Sequence, residues 1–246
     1  MATLSRLVLQ AAFLTTLGPA STAAALTLRA AGTRSLVWRS PVANVIASTS
    51  FSLPENPSFE DCIDAAPYFC RQLQESDCDS ADCRSLATFI GSANGARGFF
   101  VNWLTNDEYT AAEQTPPPMP LLQALNTVCS APPPTSFIAR LMLMNVAMPA
   151  ATALVHRRSG NEVAAQNSER TRLRASLLAS FIINSGADND QALPKTLAKE
   201  KVILLGAVAH EMGEGGEKDL QWTDFLQRWG YDQEQLEFIS AELRSL

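Results

Sequence analysis

The chain has 246 residues, of which 46% are hydrophobic and 18% are charged, and its formal net charge is −6. This length is enough to bury a core of one large or two small domains, and the composition excludes a wholly disordered chain. The negative charge argues against a general nucleic-acid-binding protein, which needs a surplus of basic residues, and two histidines leave little material for a His-rich metal site.

The N-terminal segment has the composition of a targeting presequence. Residues 1–54 contain no Asp or Glu, carry four arginines and are rich in Ala, Ser, Thr and Leu, as is typical of organellar transit peptides. Within it, the apolar run 7–18 precedes a stretch of small residues and resembles a signal-peptide core, too short to span a membrane. We therefore expect a disordered presequence over 1–54 that directs the protein to a plastid, or alternatively to a mitochondrion.

Helical periodicity dominates the chain after this segment, and strand-like alternation is nearly absent. Ser58 is predicted to cap the first helix, with Asp61 closing a capping box, and Pro67 is expected to break or kink that helix. A second helix is predicted to begin near Ser80. The three glycines of 91–98 predict a flexible joint, after which the helical pattern resumes.

Proline and glycine divide the second half of the chain into further helices. The proline clusters 115–120 and 131–134 predict stiff connectors, while Gly160 and Gly230 mark helix ends. The apolar patterns predict helices at 121–129, 137–155, 162–185, 194–212, 218–229 and 232–245. The predicted fold class is therefore all-α, an irregular multi-helix bundle, with a single domain over 55–246.

The most apolar segment, 137–155, has about the length that a bilayer requires. It contains Arg140, Asn145 and Pro149, and a charged side chain within a span is costly to insert. We therefore favour a buried core helix. A thylakoid-associated membrane protein with this span, in which Arg140 reaches the interface, is the alternative.

Four of the five cysteines lie within 22 residues of each other: Cys62, Cys70, Cys78 and Cys83. Cys78 and Cys83 are separated by four residues, but the seven residues between Cys62 and Cys70 do not fit the ligand spacing of a zinc site. The sequence thus predicts buried thiols together with one possible disulfide, Cys78–Cys83.

A basic cluster in the middle of the chain is the best candidate for a binding site. Residues 137–174 carry six arginines against two glutamates. If the two helices of this region form an antiparallel hairpin, an anion or an acidic partner protein would fit near the turn. The candidate residues are His156, Arg157, Arg158 and Arg170. The alternative is that these arginines pair with the acidic residues of the chain itself, including those of 55–83.

Catalytic and metal-binding patterns are scarce. His210 and Glu214 share a helical face, but the pattern is not HExxH, so no metal ligand is assigned. No Walker loop, strand-linked GxGxxG or GxSxG is present. We therefore assign no catalytic residue and no cofactor.

Three stretches carry a resemblance to a known group of proteins: ARGFFVNWLTND (96–107), MNVAMPAATALVHRRSGNE (144–162) and QNSERTRLR (166–174). They resemble helical proteins of unknown function found in cyanobacteria and plastids, over roughly residues 85–185. The resemblance implies a helical fold and agrees with a transit peptide, but it implies no activity.

These features favour an organelle-imported α-helical protein with a non-catalytic role in binding or assembly. Its expected partner is another protein rather than nucleic acid, and membrane association is possible but not favoured. The main alternative is a domain or enzyme that binds an anion or phosphorylated metabolite through His156, Arg157, Arg158 and Arg170.

Overall fold

The computed structural model describes residues 56–75, 80–132, 136–185 and 191–246, and within these ranges every regular element is helical. The predicted all-α class is therefore confirmed. In chain order, the elements are α1 (Phe59–Glu75), α2 (Ser80–Ile90), α3 (Ala93–Thr105), a 3-10 helix (Thr110–Glu113), α4 (Met119–Ser130), α5 (Phe137–Arg158), α6 (Glu162–Ser185), α7 (Ala192–Glu211), α8 (Leu220–Trp229) and α9 (Gln233–Ser245).

Local capping chemistry sets several of these boundaries. Ser58 and Asp61 form the predicted capping box, since the Asp61 amide donates to Ser58 Oγ at 3.1 Å and the Ser58 amide donates to Asp61 Oδ2 at 2.9 Å. Gly230 has the predicted left-handed conformation, with φ of 58°, and ends α8. Asp232 then caps α9 in a second capping box.

Pro67 does not break the first helix, so the break is excluded from its two expected effects, a break or a kink. It lies inside α1, where a proline cannot donate a hydrogen bond to the carbonyl four residues earlier, that of Ile63. The side-chain amide of Asn102 in α3 donates to this Ile63 oxygen at 3.1 Å. A tertiary contact thus satisfies the carbonyl that Pro67 leaves without its helical partner.

Of the three glycines predicted to form a flexible joint, Gly91 lies in the turn between α2 and α3, whereas the other two belong to a packed helix. Gly95 and Gly98 are buried within α3, which begins at Ala93. An added Cβ on Gly98 would lie 2.8 Å from the carbonyl carbon and oxygen of Cys62 in α1. The expectation of a joint was wrong at Gly98, which allows the backbones of α1 and α3 to approach closely.

Helix α5 is the central element of the described bundle. It packs most extensively against α6, with which it forms a helical hairpin, and it also contacts α9, α7, α4 and α3. Among the described residues it is the one helix long and apolar enough to cross a membrane, and 72% of its most apolar window is buried inside the protein. This burial favours the interpretation as a core helix.

The apolar residues of the two closing helices also belong mostly to the core. Trp222, Phe225 and Leu226 of α8 and Leu236, Ile239 and Leu243 of α9 are buried, whereas Trp229 and Phe238 are half-buried. These helices therefore use their apolar faces mainly to complete the hydrophobic core.

Candidate functional site

The residues of the predicted anion site lie along the α5–α6 hairpin. His156, Arg157 and Arg158 form the last turn of α5, whereas Arg170 lies in the middle of α6. His156 is half-buried, and this partial burial lowers the pKa of its imidazole. Burial therefore works against the imidazolium cation that an anion site would use.

Each of the three arginines of this predicted site contacts a carboxylate of the same chain. Arg157 Nη2 lies 2.7 Å from Glu169 Oε1, and Arg170 Nη2 lies 2.5 Å from Asp107 Oδ1. Arg158 contacts both Asp232 and Glu234 at the start of α9. The three arginines of the predicted site therefore each contact a carboxylate of the same chain in an ion pair.

The internal pairing extends to the neighbouring arginines of α6. Arg172 contacts Glu169 at 2.8 Å and Glu242 of α9 at 2.5 Å. Arg174 is 1% exposed and holds Glu113 of the 3-10 helix through two nitrogens, at 2.9 and 2.8 Å. Among the described residues, the acids that pair with Arg172 and Arg174 come from the 3-10 helix, α6 and α9.

A cavity of about 250 Å³ lies where α3, α5 and α8 meet. Its inner wall is formed by buried side chains, and its mouth carries the exposed polar ones. The buried group comprises Arg97, Leu141, Trp222 and Phe225; Phe137, Arg140 and Met144 are half-buried; Gln221, Asp224 and Arg228 are exposed. A concave apolar surface with a few polar groups is typical of small-molecule sites.

Arg97 is the unusual member of this wall. Arg97 is only 8% exposed, and its buried Nη2 atom has no hydrogen-bond partner among the described residues. Among the described residues, no carboxylate forms an ion pair with it. Burial lowers the pKa of the guanidinium because the charged form loses its solvation.

The helix that carries Arg97 adds to this electrostatic cost. Arg97 lies near the N-terminus of α3, where the helix dipole is positive, and the first turn has no acidic residue. Ser92 caps this terminus by accepting a bond from the Gly95 amide at 3.0 Å. The first turn of α3 therefore supplies no negative charge that would offset Arg97.

The other buried charges at the cavity are compensated. Arg140 Nε lies 2.9 Å from Glu200 Oε2, and Trp222 Nε1 donates to the same oxygen at 3.0 Å. Glu200 is 4% exposed, so this carboxylate sits behind the cavity wall and fixes both neighbours. Arg97 is thus the buried cation of this wall that has no counter-charge in the described part of the chain.

The described cysteines are mostly inaccessible thiols. Cys62, Cys70 and Cys129 are buried, and burial raises the pKa of each, to about 11 for Cys129. Cys78 lies outside the described residues, so the disulfide with Cys83 stays a prediction. In the described ranges, no group of three or more His, Cys, Asp or Glu side chains is placed to hold a metal ion.

Sequence reasoning did not identify Arg97 as a site residue. Its one local signal is that it is the only charged residue in the otherwise apolar and small segment 95–101. The residues that form the cavity with it lie more than 35 positions later in the chain, on α5 and α8. The site therefore depends on tertiary packing that no local spacing reveals.

The comparisons with known proteins give a family but no named relative. The model of a family described as Uncharacterised conserved protein UCP020893 matches residues 58–246. No curated protein and no solved structure matches the chain. The expected kinship with proteins of unknown function is confirmed at this level, and the match spans all nine described α-helices. The chain belongs to the uncharacterised conserved protein family UCP020893.

Proposed function

We propose that this protein is a non-catalytic helical protein that binds a small anionic ligand in the cavity between α3, α5 and α8. The observation that carries the proposal is Arg97, a residue of the cavity lining whose buried Nη2 atom has no hydrogen-bond partner among the described residues. Buried charges in proteins are normally paired, because an unpaired one is costly. A ligand that supplies the missing negative charge would remove this cost.

The remaining chemistry of the cavity supports binding rather than catalysis. The residues that line it include no Cys, His or Ser, and their one carboxylate, that of Asp224, is exposed at the mouth. The nearby Glu200 carboxylate is committed to Arg140 and Trp222. The wall therefore presents no nucleophile and no buried, uncommitted general base toward a ligand.

The Arg97 cavity is a better anion site than the predicted cluster of His156, Arg157, Arg158 and Arg170. An anion at that cluster would have to displace carboxylates that already contact its three arginines. At Arg97 it would have no carboxylate to displace among the described residues. The free energy of ligand binding would then not be reduced by breaking an internal ion pair.

We also propose that the protein acts inside an organelle, with a plastid preferred over a mitochondrion. The support is the acid-free, arginine-containing composition of 1–54, which precedes the family match that starts at residue 58. A fluorescent fusion to residues 1–54, expressed in an algal or plant cell, is expected to enter the plastid. Retention of this fusion in the cytosol would contradict the proposed import.

Thermal unfolding of the purified full chain tests ligand binding. A panel of small carboxylates, sulfonates and phosphate monoesters is added in a concentration series, and at least one class is expected to raise the unfolding midpoint. Arg97→Gln should abolish this rise. Arg71→Gln is the matched control, because Arg71 is an exposed residue of α1 outside the cavity, and it should leave the rise unchanged.

If no anion of the panel shifts the midpoint, the proposed ligand-binding function is wrong. The hypothesis that the protein works through another protein would then take its place. An equal rise in Arg97→Gln would instead show that anions bind at a different site, and the predicted hairpin cluster would become the first position to examine.

A further inference from the structure

We infer that the ligand of this cavity is a monocarboxylate with a compact apolar body, about the size of a medium-chain fatty acid. This inference rests on the proposed function, because it names the chemical class that the Arg97 cavity would select among small anions. Three independent features of the cavity define that class: the number of uncompensated charges, the donors that remain available, and the volume and lining of the wall.

The charge of the lining favours a ligand with a single negative charge. Arg140 is compensated by Glu200 at 2.9 Å, and the mouth carries one acid and one base, Asp224 and Arg228. Arg97 remains as one excess positive charge in the wall. A monoanion therefore balances the cavity, whereas a phosphate monoester with nearly two charges would leave an excess negative charge in a partly desolvated site.

The donors of the wall favour a planar head group and an unsubstituted body. The guanidinium of Arg97 presents its donors in a rigid fork that matches the two oxygens of a carboxylate. In contrast, Trp222 Nε1 and Arg140 Nε are both occupied by Glu200. Trp222 therefore offers a ligand body mainly the apolar surface of its indole ring, and a hydroxyl group beside that ring would lose solvation without gaining the Nε1 donor.

The volume and lining of the cavity set the size of the body. Half of the lining residues are apolar: Phe137, Leu141, Met144, Trp222 and Phe225. Trp222 and Phe225 form an edge-to-face pair with ring centroids 5.7 Å apart, which gives the wall a fixed shape. A volume of about 250 Å³ lies below the range of drug-sized pockets. A group the size of a water molecule occupies roughly 30 Å³, so the cavity accommodates roughly eight such groups.

Titration calorimetry with the full chain tests this inference. Octanoate is the probe, and octanamide, octyl phosphate and the shorter butanoate are the comparison ligands. Octanoate is expected to bind more tightly than each of them. Octanamide lacks the negative charge, and octyl phosphate carries nearly two negative charges. Butanoate is too short to fill the cavity. Arg97→Gln should weaken octanoate binding by about tenfold or more, as expected for the loss of a charge-assisted hydrogen bond.

Two further variants separate recognition of the head group from folding. Arg97→Lys keeps the charge but removes the fork, and it should restore only part of the octanoate affinity that Arg97→Gln loses. Met144→Trp adds volume to the half-buried part of the wall. It should reduce the ratio of octanoate affinity to butanoate affinity. The control Arg71→Gln should bind octanoate like the unmodified chain.

The outcomes distinguish the ligand class from the proposed function. Tighter binding of octyl phosphate than of octanoate, lost in Arg97→Gln, would overturn the monocarboxylate while the anion-binding function stands. Equal binding of octanamide and octanoate would overturn recognition of the charge by Arg97. Absence of binding by every probe, together with a negative anion panel, would overturn both.

Discussion

The side-chain amide of Asn102 lies 3.1 Å from the carbonyl oxygen of Ile63, the atom that Pro67 cannot reach with a hydrogen bond. A second bond from the same nitrogen goes to the Gly98 oxygen, also at 3.1 Å. Asn102 is 6% exposed, so water is a poor substitute for either bond. One side chain of α3 thus allows α1 to continue through a proline.

Asn102→Ala is expected to lower the free energy of unfolding by about 2 kcal/mol, because it leaves the partly buried Ile63 oxygen without a donor. The urea-unfolding midpoint gives this value. Pro67→Ala supplies the matched background, since alanine restores the backbone N–H that Ile63 would normally bind. In the Pro67→Ala background, Asn102→Ala should lower the free energy of unfolding by a clearly smaller amount. Equal costs in both backgrounds would show that Asn102 acts independently of the proline.

Gly98→Ala is expected to destabilise the protein by about 1 to 3 kcal/mol, as is typical of overpacking. Its new Cβ would lie 2.8 Å from backbone atoms of Cys62, which cannot move without displacing α1. Gly206→Ala in α7 is the control, because its Cβ would make an ordinary contact at 3.6 Å with Glu217. That variant should be neutral or stabilised by up to about 1 kcal/mol through its helix propensity. Thermal unfolding of both variants decides between the packing role and a hinge role of Gly98.

The predictable parts of this fold are those that local chemistry determines. The helix over Glu162–Ser185 begins and ends where its sequence pattern predicts, and the Ser58–Asp61 capping box depends on residues three positions apart. The two departures from expectation, the unbroken helix at Pro67 and the packing of Gly98, have one cause. At both places a contact between α1 and α3 overrides the local helix propensity, and no local pattern contains such a contact.

The same reasoning explains why the sequence did not reveal that the arginines of the predicted cluster contact carboxylates of the folded chain. A dense basic cluster at 137–174 is visible in the sequence, but its carboxylate partners are brought to it by the 3-10 helix, the loop after α3 and α9. Arg97 is a single arginine in an apolar stretch, and only the fold shows that its Nη2 atom has no partner among the described residues. Charge density along a sequence therefore does not predict which charge is left uncompensated.

Glu200→Gln is expected to destabilise the protein by about 2 kcal/mol, because it leaves the guanidinium of Arg140 without its counter-charge. The Arg140 side chain is 22% exposed, so solvent screens part of the cost. The double variant Arg140→Met/Glu200→Gln should recover much of the loss by removing the unpaired cation. Chemical denaturation of the two single variants and the double variant measures this coupling, and strictly additive effects would contradict it.

Cys62, Cys70 and Cys129 are expected to resist iodoacetamide in the native protein at mildly alkaline pH. All three are buried, and their raised pKa values keep them in the unreactive thiol form. Mass-spectrometric mapping after alkylation, with and without denaturant, should show modification of these three only when the chain is unfolded. The same maps recorded without reductant test the predicted Cys78–Cys83 disulfide, since alkylation of half-buried Cys83 under those conditions would exclude the bridge.

Replacement of Arg97 is expected to raise stability while it removes function. Arg97→Met keeps a flexible apolar stem against the cavity wall and deletes a cation that is buried near the positive end of α3. The free energy of unfolding without ligand should therefore rise by about 1 kcal/mol or more, measured by urea denaturation. Arg71→Met, at an exposed position of α1, should change it by no more than about 0.5 kcal/mol. Ligand-induced stabilisation should disappear only in Arg97→Met. If Arg97→Met instead lowers the free energy of unfolding, the guanidinium is a structural group. A rise in this free energy together with a loss of ligand binding is expected of a residue that is retained for its ligand.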